Sequence, residues 1–159
     1  FAVFTACSEP EEPKVSPLSA EEISGERLWE RITEESEYTT WGFWPGHEGY
    51  QPGQAPHGPI HRIFVNRPLR LAVPLPEQDV PHGGIIVKEN LAADRTLNGY
   101  TVMAKVEGVS PATGDWFWVN YAADGTIRAE GSVGGCISCH SGMRDNDYII
   151  AYPLDREVQ

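Results

Sequence analysis

Tyr100-Thr101-Val102-Met103-Ala104-Lys105-Val106 and Trp116-Phe117-Trp118-Val119-Asn120-Tyr121-Ala122 are two runs rich in β-branched and aromatic residues. The link between them, Glu107–Asp115, carries Pro111 and Gly114. Runs of this kind read as strands, and a turn-rich link reads as a hairpin with a long loop. Working outward, Asp124-Gly125 marks the next turn and Thr126–Glu130 a short strand. Upstream, Gly84-Ile85-Ile86-Val87-Lys88-Glu89 and Ile60–Asn66 also read as strands, joined by a loop with Pro68, Pro74, Pro76 and Pro81. Asp147 to Tyr152 reads as a last strand closing the sheet. Near the start, Ser19-Ala20-Glu21-Glu22 has the form of a capping box. It predicts a helix from Ser19 to Thr33, with Ile23, Leu28, Trp29 and Ile32 roughly on one face. The sum is an α+β layout, a mainly antiparallel β-sheet with an N-terminal helix.

The chemistry lies at Cys136-Ile137-Ser138-Cys139-His140, preceded by Gly134-Gly135. Two thiols three residues apart on a tight turn can each add to one vinyl group of a haem. The next residue then falls under the iron, where its imidazole binds. Two alternatives fail on context. A zinc knuckle needs a second ligand pair at similar spacing, and there is none. A thioredoxin-like pair needs a βαβ unit, also missing. The motif predicts one haem c, attached through Cys136 and Cys139 on a C-terminal haem-attachment turn, with His140 as the proximal iron ligand. The sixth ligand decides function: methionine or histidine makes an electron carrier, an open position allows catalysis or gas binding. Met143, three residues past His140, belongs on the proximal side. Met103 sits inside a strand and reads as core. His57 and His82 each sit in a Pro-His-Gly turn, and His47 and His61 carry no clear signal. The absence of an obvious sixth ligand favours an open distal face. The aromatic group Tyr38, Trp41, Phe43 and Trp44 reads as core or as a lid over the haem edge.

The chain has 159 residues and a net charge of −11, which gives nucleic acid no basic surface to bind. Ten of the 23 acidic residues precede residue 40. They read as a solvated face or as a docking surface for a basic redox partner. Cys7 follows Phe1-Ala2-Val3-Phe4-Thr5-Ala6 and precedes the polar, Pro-rich Ser8-Glu9-Pro10-Glu11-Glu12-Pro13. This resembles a bacterial lipoprotein processing site. The expected organisation is therefore residues 1–6 as a signal-peptide remnant, 7–18 as a lipidated N-terminus and flexible tether, and 19–159 as a single haem domain. The expected location is the periplasm, with the domain held to a membrane surface through lipid on Cys7.

Further pieces together resemble the cytochrome P-460 family, including its cytochrome c′-beta branch. They are Pro56-His57-Gly58 before Ile63-Phe64-Val65-Asn66, then Gly84–Glu89, Asp115-Trp116-Phe117-Trp118, the Cys136–His140 motif and Asp147-Tyr148. The match spans roughly residues 25–155. The resemblance implies a mainly β-sheet protein, usually a homodimer, with one five-coordinate or weakly ligated c-type haem in the periplasm. It implies a small nitrogen-oxide substrate or ligand: hydroxylamine oxidation in one branch, nitric oxide binding in the other. In the oxidising branch a lysine of a Val-Lys-Glu strand bonds covalently to the haem ring, and Lys88 holds that place. That branch also uses a distal carboxylate as proton acceptor. No acid in Tyr100–Val106 fills the role, Glu107 falls at the strand end, and Glu89 points away from Lys88 by strand alternation. The nitric-oxide branch has a Phe-rich distal cap, for which Phe43, Phe64 and Phe117 are candidates. The expectation is a haem oxidoreductase, with a gas-binding module or an electron-transfer cytochrome as alternatives.

Overall fold

The structure, a computed structural model, describes residues 15–73 and 79–150. Cys7 and the signal-like segment lie outside the described residues, as do Pro74 and Pro76. The described chain forms one seven-stranded sheet, antiparallel at every pairing. The strands are β1 (Gly42–Phe43), β2 (Gln51–Pro52), β3 (Ile60–Val65), β4 (Ile85–Leu91), β5 (Leu97–Lys105), β6 (Trp116–Ala122) and β7 (Ile127–Gly131). They run β1-β3-β4-β5-β6-β7 across the sheet, with β2 also on β3. The expected β5–β6 hairpin is present, with Tyr100 opposite Tyr121 and Met103 opposite Trp118. The fold is α+β and mainly sheet.

The helix differs from its expected start. Ser19 and Glu22 do pair, Ser19 N and Oγ both donating to Glu22 Oε2 (3.2 and 2.9 Å), but the turn they make is not continued. Helix α1 covers only Gly25–Glu30 and is capped by Ser24, whose Oγ accepts from Arg27 N (3.1 Å). It passes into a wider π-helical turn at Arg31–Glu35. The entry point is fixed by packing: Gly25 N donates to Glu130 of β7, and Tyr121 Oη donates to the Gly25 carbonyl (2.7 Å). Two tertiary bonds to Gly25 outweigh a local capping signal six residues earlier. The loop after β3 holds a helix that went unexpected, α2 (Arg67–Ala72), with Pro68 in its first turn, where proline's missing N–H costs nothing.

Strand alternation divides the core into two layers. One face packs Leu28 and Ile32 of the N-terminal helical segment against Phe64, Val87, Val102, Val119 and Tyr121. The other face packs Ile63, Val65, Ile86, Met103, Trp116 and Trp118 against Leu69, Val73, Tyr148 and Ile149, with Cys136 and Ile137 at its edge. Phe64 and Phe117 are buried on the first face, and Phe43 packs there with them. The expectation that they cap the distal side of a haem is therefore corrected. Tyr38 and Trp41 belong to the same layer, leaving Trp44 in the second. The described residues of the expected last strand form none: 147 and 148 make a turn, both at positive φ (48° and 64°), and 149 and 150 carry no strand pairing, while 151 and 152 lie outside the described residues.

Candidate functional site

Helix α3 (Gly134–His140) carries the attachment motif, and a 3₁₀ turn (Ser141–Asn146) returns the chain towards the sheet. Both thiols are free; Cys136 is half-buried and Cys139 exposed. Burial raises the Cys136 pKa. A Cβ on Gly134 or Gly135 would meet nothing within 4 Å, so the start of α3 stands in open space. His140 ends α3 with its Nδ1 donating to the Tyr148 carbonyl (2.7 Å). That bond fixes the tautomer and leaves Nε2 for a metal. Burial lowers the His140 pKa against the opposing effect of the Tyr148 carbonyl, and the Lys88 charge lowers it further, which favours the neutral imidazole. The indole of Trp118 packs on its ring at 4.8 Å.

The sheet places a row of functional groups beneath it. Register puts Ile63, Lys88, Thr101 and Asn120 side by side across β3–β6. The same-face neighbours of Lys88 are Ile86 and Asn90 on its own strand. The Lys88 side chain is mostly buried and, among the described residues, makes no hydrogen bond or ion pair. Burial alone lowers its pKa from 10.5 to about 8. Glu89, one residue on, lies on the opposite face. There it takes two bonds from Arg62 and one from Tyr38 Oη (2.8 Å), as alternation required.

His57 is the residue that sequence reading passed over. Its Pro-His-Gly turn looked like surface, yet it is half-buried with its ring 6.4 Å from that of His140. Its Nδ1 lies 3.2 Å from Thr101 Oγ1. Gly58 makes this possible: φ is +80°, and a Cβ there would come within 2.6 Å of the Leu91 carbonyl. Burial, then the Lys88 and His140 charges, lower the His57 pKa to about 4. The signal in the sequence was the glycine directly after the histidine, which lets the loop press against β4. His61, from β3, is 5% exposed and neither ring nitrogen has a partner. Trp118 Nε1 is likewise buried and unpartnered. His82 lies at the surface, 3.6 Å from Asp115, away from this group. Met103 is core, packed in register between Ile86 and Trp118. Met143 is exposed.

These residues fit a haem. Among the described residues, no cluster of three or more His, Cys, Asp or Glu side chains is placed to hold a bare metal ion. Two thiols and one imidazole on a single turn suit a macrocycle that brings its own equatorial ligands. Orphaned buried donors are costly. His61, Trp118 and Lys88 together mark a face made to meet a polar, extended group. Cys136 and Cys139 would hold that group and His140 would bind its metal.

Two comparisons with known proteins bear on this face. No curated protein matches the chain. The family model of cytochrome P460 matches residues 35–151. That span takes in all seven strands, the loop of His57, Lys88 and the whole attachment turn, so the match covers the sheet and the site together: the chain belongs to the cytochrome P460 family.

Proposed function

We propose that this protein is a periplasmic mono-haem c-type cytochrome that oxidises hydroxylamine or converts nitric oxide, with Cys136 and Cys139 holding the haem and His140 its iron. The observation that carries this reading is Lys88, mostly buried on the site face with no partner and a pKa near 8. A lysine held this way is partly neutral and nucleophilic at mild pH. It is suited to a second covalent bond to the haem ring. Such a bond would put a C–N link in place of one ring C–H and one Lys88 N–H, and would need an oxidant of the peroxide class to take up the two electrons and two protons released.

When bound, the haem supplies a redox-active iron at which a small nitrogen ligand can sit and through which its electrons leave. The chain supplies the rest. Hydroxylamine loses protons and electrons in equal number on its way to nitric oxide, so a base must stand near it. His57 is neutral, faces His140 and is oriented by Thr101, so it fills the role left open when no carboxylate was found. The buried apolar surround of Ile63, Ile86 and Trp118 limits water around the reacting groups. The Phe-rich cap of a purely gas-binding relative has no counterpart in Phe43, Phe64 or Phe117, which favours turnover over binding alone.

The location belongs to the same proposal. Haem attachment to such a motif takes place outside the cytoplasm, and a lipid on Cys7 would hold the domain at a membrane surface. Leu18 is buried in the first layer and the Ser16 carbonyl accepts from Arg31, so the spacer would be the seven residues 8–14 rather than the expected 8–18. It reaches at most about 25 Å. The acidic N-terminal region would then face a basic redox partner. A homodimer, usual in the family, is part of the reading.

Three outcomes follow. Tryptic digestion of the holoprotein should leave haem joined to two peptides, residues 129–144 and residues 71–95 with Lys88 uncleaved; haem on the first alone rules out the cross-link. His57→Leu should keep its haem but reduce hydroxylamine-dependent reduction of an electron acceptor by roughly a hundred- to ten-thousand-fold; wild-type turnover in that variant removes His57 from the chemistry. Cys7→Ser, behind an ordinary cleavable signal peptide, should give soluble protein with an unchanged haem spectrum. A natural precursor that already fractionates as fully soluble contradicts the tether.

A further inference from the structure

The turn that presents the Tyr148 carbonyl to His140 is built around a buried ion pair. Asp147 and Lys105 are 5% and 6% exposed. Lys105 Nζ donates to both carboxylate oxygens of Asp147, at 2.6 and 2.7 Å. Val80 N donates to Oδ2 (2.9 Å), and Trp116 Nε1 is within reach of both Oδ1 (3.1 Å) and the Asp147 carbonyl (2.9 Å). Lys105 ends β5 and Trp116 begins β6, and the two are register partners. The carboxylate is therefore bolted to the most extensively paired part of the sheet.

The backbone shows why so many bonds converge there. Asp147 and Tyr148 are consecutive non-glycine residues at positive φ. Such residues are strained and persist only when their surroundings over-determine them. The Tyr148 ring is held as well: it is 3% exposed, its Oη donates to the Ala112 carbonyl (3.3 Å), and a Cβ on Gly114 would come within 2.9 Å of it. What this strained turn delivers is one carbonyl, 2.7 Å from His140 Nδ1. A strong acceptor at Nδ1 raises the basicity of Nε2 and so stabilises the oxidised state of a metal bound there.

We propose that Asp147 is a positioning residue for the iron ligand: through Lys105, Trp116 and Val80 it locks the peptide whose carbonyl polarises His140, and so sets the electron-donor strength of that imidazole. The inference rests on the haem reading above. It adds that the Lys105–Asp147 pair tunes the haem from a distance, through the Tyr148 carbonyl and with no hydrogen bond of its own to His140 among the described residues.

The test uses holoprotein carrying the charge-balanced change Lys105→Met with Asp147→Asn. Removing both charges avoids leaving one buried alone, and such exchanges often keep stability. The expected result is retained covalent haem, a lower iron–histidine stretching frequency in the ferrous resonance Raman spectrum, and a higher midpoint potential. The control, Arg62→Met with Glu89→Gln, removes the ion pair on the opposite face and should leave both readouts at wild-type values. Wild-type values in the first variant, or equal shifts in the control, overturn the inference. If the first variant does not fold, Trp116→Phe removes the indole donor while keeping an aromatic ring. The same two shifts in the same direction, smaller in size, support the inference, and no shift overturns it. A wild-type chain that carries no covalent haem overturns the haem reading and this inference together.

Discussion

Alternation along β4 sends Lys88 and Glu89 to opposite faces of one sheet, and the division of labour in the molecule follows from it. On one side Glu89 closes a network with Arg62 and Tyr38 beneath a layer that includes Leu28 and Ile32. On the other, the Lys88 side chain has no hydrogen bond or ion pair among the described residues, and its register partner Thr101 contacts His57. A slip of one residue in register would exchange the two sets. The long antiparallel pairings of β4 with β5 and of β5 with β6 prevent that slip, each fixed by apolar residues on both faces. Among the described residues, the buried side-chain nitrogens without a hydrogen bond, those of Trp44, His61 and Trp118, lie on the second side and none on the first.

The cost of that arrangement is visible. Burying Lys88 lowers its pKa, and burying His61 lowers its pKa to about 4, because neither is given a counter-charge. Such groups are tolerated where another component completes their environment. The ion pairs Arg62–Glu89 and Lys105–Asp147 show that the same fold pairs other charges it buries. Lys88 and Lys105 lie on one face, Lys105 paired with Asp147 and Lys88 with no hydrogen bond or ion pair from its side chain among the described residues.

Much of this was legible in the sequence. The β5–β6 hairpin, the β3 and β4 strands and the attachment turn follow from period-two patterning, turn residues and the spacing of Cys136, Cys139 and His140. The opposite orientation of Lys88 and Glu89 needed only strand alternation. The helix start was not legible, because Gly25 is recruited by Glu130 and Tyr121, more than ninety residues away in sequence. The role of His57 was hidden for the same reason: its significance comes from a Thr101 contact forty-four residues distant. The turn at Asp147 was misread as strand because nothing local signals two consecutive positive φ values; the Lys105 and Trp116 side chains impose them. Local pattern fixes the sheet, and long-range polar contacts fix the site.

The most direct measurement is the optical spectrum of the ferrous holoprotein before and after adding carbon monoxide. An iron held by His140 alone, with His57 and Lys88 beside it and no strong sixth ligand, gives a high-spin ferrous spectrum that shifts on exposure to the gas. A low-spin ferrous spectrum that does not change would mean that Met103 or a second histidine occupies the iron. The protein would then be an electron carrier and not a site for nitrogen-oxide chemistry.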